Sequence, residues 1–154
     1  MKTEALEAGA ERLHRLTKEL NRRYQFRDWN QICCYGITIS QSHILDVLAE
    51  EGDLTMQQVA GRMFKSVSTM TRVVAQLVRR GYVRRHRDPE DRRVVHVSIT
   101  PQGKAIVAAI SRDLIATQRA ILEGIPPEQW EGAFAVLEAL ARGARRWQET
   151  CCRA

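Results

Sequence analysis

Apolar residues recur at helical spacing along most of this chain, and the pattern gives way once to strand-like alternation. Ala10, Leu13, Leu16, Leu20 and Tyr24 fall three and four residues apart, which predicts one long helix over about the first thirty residues. The segment from Trp29 to Gly36 breaks the pattern and holds Cys33 and Cys34. Ser40 reads as the N-cap of a second helix, which buries Ile44, Leu45, Val47 and Leu48 and stops at Gly52. Thr55 and Gln58 have the spacing of a capping box and open a short third helix. Ser66 caps a fourth.

The fourth helix carries the most information. Met70, Val73, Val74, Leu77 and Val78 form an apolar stripe, while Ser68, Arg72, Gln76 and Arg79 occupy the opposite face with Thr69 at its edge. Arg79, Arg80 and Gly81 supply a basic last turn and a left-handed cap. Two short helices, a tight turn and a helix with a polar outer face read as a helix-turn-helix. Alternation then takes over: Tyr82 to Arg87 is one strand, and Val95, Val97 and Ile99 alternate with His96 and Ser98 in the next. The polar link from Asp88 to Arg93 makes the pair a hairpin, and a hairpin placed there is a wing. Thr100 and Pro101 open a fifth helix with Ile106, Ala109, Ile110, Leu114, Thr117 and Ile121 on one stripe. Pro126 and Pro127 separate it from a sixth carrying Trp130, Phe134, Leu137, Ala141 and Ala144. A long helical pair with apolar stripes ordinarily finds partner helices, which implies a homodimer.

Charge is informative only once it is located. The net charge is +6, yet ten bases and only three acids lie between Arg62 and Arg93, so that segment holds all of the excess. A solvated face mixes signs; a one-sided basic segment fits a polyanion, and nucleic acid is the commonest. No apolar run is long enough to span a bilayer, and the first fifteen residues lack the apolar core of a signal peptide, so the expected location is cytoplasmic with no membrane partner.

The wing and the strand end after it resemble the MarR family of bacterial regulators. That family writes its wing D-x-x-D-x-R and the next strand end L-T-x-x-G; here Asp88, Asp91 and Arg93 meet the first pattern, and Ile99, Thr100 and Gly103 meet the second. Leu54-Thr55, Ser68-Thr69, Arg72 and the run from Leu77 to Val83 extend the match from Thr38 to Gly103. The expected fold is mainly α with a small β-hairpin wing. It divides into an N-terminal dimerisation helix and linker (1–36), a winged helix-turn-helix (37–100) and C-terminal dimerisation helices (101–154). The resemblance implies an interlocked dimer on a pseudo-palindromic operator, with the fourth helix in the major groove and the wing in the flanking minor groove. Such proteins usually repress nearby genes and release double-stranded DNA when a small molecule or thiol oxidation alters them.

On the residues themselves, Ser66, Ser68 and Thr69 suit phosphates or base edges near a helix N-terminus. Arg72 is the expected base reader, most simply of guanine. Gln76 lies one turn farther along, and Arg79 faces backbone. Arg93 is the wing's expected minor-groove probe. Arg84, Arg85, Arg87 and Arg92 are phosphate candidates. Asp91 either orients an arginine, as the family motif implies, or simply forms the turn.

Cys33-Cys34 and Cys151-Cys152 are vicinal pairs, and in a family whose first and last helices entwine these ends come close. Adjacent cysteines are strained as a mutual disulfide and better suited to soft ligands, with His43 as a further donor. Three roles remain open: a soft-metal or metalloid site, a thiol-oxidation or electrophile sensor, or none, with an unrelated ligand bound near Trp29, Tyr35 and His43. No cofactor is required. Zinc-ligand spacing, phosphate loops and nucleophile motifs are absent from the sequence, which argues against an enzyme. The rival reading is a winged-helix protein-interaction module without specific DNA binding; it calls for acids or large apolar residues on the outer face of the fourth helix.

Overall fold

A computed structural model of the chain describes residues 2–91 and 93–151, with the side chains of Lys2 and Cys151 excluded. Six helices and three short strands follow in the order α1 (Lys2–Ile32), α2 (Ile39–Glu51), β1 (Leu54–Thr55), α3 (Met56–Arg62), α4 (Val67–Arg79), β2 (Val83–Arg87), β3 (Val95–Ile99), α5 (Pro101–Leu122) and α6 (Trp130–Cys151). The chain divides into two compact units, one reaching to Leu114 and one beginning at Ile115. No single helix among the described residues is long and apolar enough to cross a membrane.

The first unit has one core. Ile44, Leu45 and Leu48 of α2, Met70, Val74 and Leu77 of α4, Val59 of α3 and Val97 of β3 are almost fully buried, and Ile32, Ile37 and Ile110 close it. Each α4 residue in this set belongs to the apolar stripe read from the sequence. Local chemistry sets the helix ends. Ser66 accepts the amide of Thr69 at the start of α4. At its other end Gly81 takes a left-handed φ of 75°, while the Tyr82 amide returns to the Leu77 carbonyl.

Two sequence expectations, about the end of the first helix and the start of the second, are corrected. Helix α1 runs on through Trp29 to Ile32, and only Cys33–Tyr35 leave it, as a single 3-10 turn capped by Gly36 at φ 69°. The N-cap of α2 is Thr38, not Ser40: the Thr38 hydroxyl accepts the Gln41 amide, and the Gln41 side chain accepts the Thr38 amide. A reciprocal box satisfies two helix-end donors, whereas a lone serine satisfies one. The Thr55–Gln58 box forms as read.

The hairpin pairs β2 with β3 antiparallel, Val83 opposite Ile99 and Arg87 opposite Val95. A third strand joins it: β1 places Leu54 against Val97, giving the order β1-β3-β2. That strand ties the start of α3 to the middle of β3. In the second unit α6 follows a short turn opened by Pro126, and the Trp130 indole donates to the Ile125 carbonyl.

Candidate nucleic-acid interface

The outward side of α4 carries Ser68, Thr69, Arg72, Gln76 and Arg79, and all five are exposed. At its N-terminus the hydroxyls of Ser66, Ser68 and Thr69 cluster, with Ser66 Oγ 3.0 Å from Ser68 Oγ and 2.9 Å from Thr69 Oγ1. Such a cluster, on a helix end whose amides point outward, is a natural seat for phosphate oxygens. Arg72 stands one turn on. Gln76 is partly committed, because its carbonyl oxygen accepts 2.6 Å from the side-chain amide of buried Gln41 in α2. Its own amide group is left to donate outward, and the Gln41 contact fixes its direction.

The turn entering α4 bends sharply. Phe64 holds a left-handed φ of 51°, unusual for a residue with a side chain, and the Lys65 amide closes back on the Ala60 carbonyl. That bend sets the angle between α3 and α4.

Not every base in the basic segment is free to meet an anion. Arg62 grips Glu51 with three contacts of 2.8–3.0 Å, and the guanidinium holds that carboxyl below its ordinary range. Arg85 donates 2.9 Å to the Thr71 carbonyl, tethering β2 to α4. Arg80 donates to the Gly36 carbonyl, which binds the end of α4 to the turn after α1. Lys65, Arg72, Arg79, Arg87 and Arg93 remain as exposed bases, Arg84 is exposed with its Nε 3.5 Å from Ser98 Oγ, and Arg92 lies outside the described residues.

The wing tip is organised by two aspartates. Asp88 accepts the amides of Glu90 at 2.8 Å and Asp91 at 3.1 Å and meets His96 Nε2 at 3.0 Å. Those two amides first, and His96 after them, hold its carboxyl below the usual range. Asp91 accepts the backbone amide of Arg93 at 2.9 Å, so its carboxylate shapes the turn that presents Arg93. The rings of His86 and His96 stack across the two strands at 5.5 Å, and His86 Nε2 lies 3.3 Å from Asp53.

Around the cysteines, Cys33 and Cys34 are both free and exposed. Trp29 and Cys33 line one cleft, but Tyr35 and His43 do not join them there. The Tyr35 hydroxyl instead donates 2.6 Å to Asp113 of α5, a bond that raises its pKa. No group of three or more His, Cys, Asp or Glu side chains converges as a metal site among the described residues. The Cys151 side chain and all of Cys152 lie outside them.

A three-helix unit ending in an exposed polar helix, backed by a small sheet whose hairpin projects beyond it, defines a winged helix-turn-helix. Residues 35–94 match the model of the MarR family. Over nearly its whole length the chain has the fold of a MarR family protein from Bacillus stearothermophilus, with a TM-score of 0.79 and 26% identity over 93% of this chain and 97% of that one. The FabT protein of Streptococcus pneumoniae, solved in complex with DNA, is similar at a TM-score of 0.65 and 25% identity, over 84% of this chain and 99% of that one. Among curated proteins, the uncharacterised HTH-type transcriptional regulator YsmB of Bacillus subtilis is 36% identical over 76 residues, 49% of this chain and 52% of YsmB. The chain spans between 52% and 66% of the lengths of the first curated relatives it matches.

Proposed function

We propose that the chain is a sequence-specific DNA-binding transcriptional regulator, cytoplasmic and homodimeric, that represses its targets from a pseudo-palindromic operator until an effector releases it. The observation that carries the reading is the outer face of α4. It presents a hydroxyl cluster, then Arg72, Gln76 and Arg79, and the helix contains no acid at all. A protein-docking face would not be built this way. In this reading α4 enters the major groove, Arg72 reads a base edge, and Arg93 follows the flanking minor groove. The DNA complex of FabT supports the same class of partner.

The dimer is supported by apolar side chains that water would otherwise meet. On α1, Leu6, Leu13, Leu16 and Leu20 are exposed; on α6, so are Phe134, Leu137, Leu140 and Trp147. Regular apolar stripes of this kind are covered by partner helices in helical dimers. The reading contains no catalytic step.

Selection from randomised duplexes with reduced full-length protein tests it. The expected enrichment is two inverted half-sites about one helical turn apart, centre to centre. Enrichment of no sequence would overturn the proposal in favour of a protein-interaction module.

A further inference from the structure

Both cysteine thiols after α1 turn toward one point. Cys33 Sγ and Cys34 Sγ each donate 3.3 Å to the same acceptor, the Asn30 carbonyl. Residues three and four beyond a helical carbonyl share a face, so the 3-10 turn that follows α1 brings the two adjacent sulfurs to one side. Beside them lies a cleft of about 360 Å³, which Cys33 itself lines together with Trp29, Ile32, Ile37 and Ile39. Ile32 and Ile37 are buried at its floor, while Trp29 stands open at its edge.

From this arrangement we infer that Cys33 and Cys34 are a two-thiol site for a monosubstituted trivalent arsenical, R–As(OH)2, whose organic group R seats in the cleft. The donor count selects the ligand. A metal ion seeks three or four protein donors, and no third one joins the pair among the described residues. A monosubstituted arsenical needs two, because carbon fills its third position. In the binding step two As–O bonds break and two As–S bonds form. Each thiol proton leaves with one hydroxyl as water, and arsenic stays trivalent.

The same geometry disfavours an oxidation switch at this pair. Adjacent Cα atoms lie about 3.8 Å apart across a trans peptide, shorter than the roughly 4.4 Å at which disulfides begin. A bridging arsenic atom enlarges the ring and relieves that constraint. Local desolvation, reinforced by the charge and thiol of Cys34, holds the Cys33 thiol above its ordinary pKa. A thiol kept protonated reacts poorly with peroxide, whereas a chelating ligand expels the proton as it binds.

The turn is also placed to report binding. The Gly36 amide closes on the Cys33 carbonyl at 2.9 Å, and the Gly36 carbonyl receives the guanidinium of Arg80, the C-cap of α4. Tyr35 anchors the same turn to α5 through Asp113. Bridging the sulfurs therefore acts on a turn bonded directly to the end of α4. This part of the inference rests on the DNA-binding reading; the binding site does not.

Full-length reduced protein is titrated with phenylarsine oxide, which is hydrated to the dihydroxy form, while free thiols and adduct mass are counted. One equivalent is expected to consume two thiols in the wild type and equally in the Cys151→Ser/Cys152→Ser variant. A dithiol should remove it and a monothiol should not. In the Cys151→Ser/Cys152→Ser background, Cys33→Ser and Cys34→Ser should each weaken binding about a hundredfold or more, because the second bond is intramolecular; unchanged thermal midpoints exclude misfolding at these exposed positions. Full binding in either single variant, or loss in the C-terminal double variant, overturns the site. Duplex affinity is measured in parallel. An adduct that leaves operator affinity unchanged overturns the coupling through Arg80, whereas an adduct on a protein that binds no duplex sinks the regulator reading and leaves the site intact.

Discussion

Replacing Gly103 with alanine sets two effects of opposite sign against each other. Gly103 lies in the first turn of α5, where alanine is the better helix former by about 0.8–1.0 kcal/mol. Yet a Cβ built there falls 2.2 Å from the Tyr82 carbonyl oxygen and 2.7 Å from Ile99 Cγ1. The carbonyl cannot swing aside freely. It accepts the Thr100 amide at 3.0 Å and the Thr100 hydroxyl at 3.1 Å, and the same hydroxyl receives the Gly103 amide. Overpacking costs about 1–3 kcal/mol, and each hydrogen bond lost in relaxation adds about 1 kcal/mol. Steric cost wins, and the net destabilisation is about 2–4 kcal/mol after the helix term is subtracted. In urea, with m near 2 kcal/mol per M, the midpoint should fall by about 1–2 M at constant slope and fixed protein concentration. Gly132→Ala is the control: it lies in α6 with nothing within 4 Å of its Cβ, and should gain about 0.5–1 kcal/mol. If Gly103→Ala were as stable as wild type, close approach of α5 to Tyr82 and β3 would be refuted as the reason for this glycine.

Three further outcomes rest on individual contacts. Thr38→Ala should cost about 1 kcal/mol and Ser40→Ala almost nothing in denaturant melts, because only Thr38 caps α2; the reverse order would contradict the capping box. Arg72→Ala should lose about 1–3 kcal/mol of operator binding and relax discrimination at one base pair, read by titrating single-base operator variants. A uniform loss across all variants would make Arg72 a phosphate contact. The Asp88 carboxyl, depressed by the Asp91 and Glu90 amides and by His96, steadies the wing turn above its unfolded pKa and releases it as pH falls through the lower folded value. Amide shifts of Glu90 and Asp91 followed by NMR should move together through that acid titration, and Asp88→Asn should abolish the transition.

What could be read in the sequence was whatever repeats or caps locally. The α4 stripe repeats over three turns, and Met70, Val74 and Leu77 are indeed its buried members. The wing announced itself by alternation around a polar link. Strand β1 has only two residues, too few for any period, and forms because Val97 and His96 lie opposite it. The Thr38 cap was legible in principle, since Gln41 stands at capping-box spacing, but Ser40 drew the assignment. Long-range contacts left no trace in the spacing. Glu51 taking Arg62 out of the free basic surface, Gln41 turning Gln76, and Arg80 reaching Gly36 all join residues far apart in sequence. For the interface, residue type and face were readable, while the commitments of each side chain depended on neighbours that only the fold assembles.

The most direct test of the central claim is the ratio of affinities for the selected operator and a scrambled duplex of equal length, measured at physiological salt and again across a salt series. A ratio of about a thousandfold or more is expected, with both affinities falling as salt rises because phosphate contacts release counterions. Equal affinities for the two duplexes would leave only a basic surface and contradict the assignment of α4 as a reader of sequence.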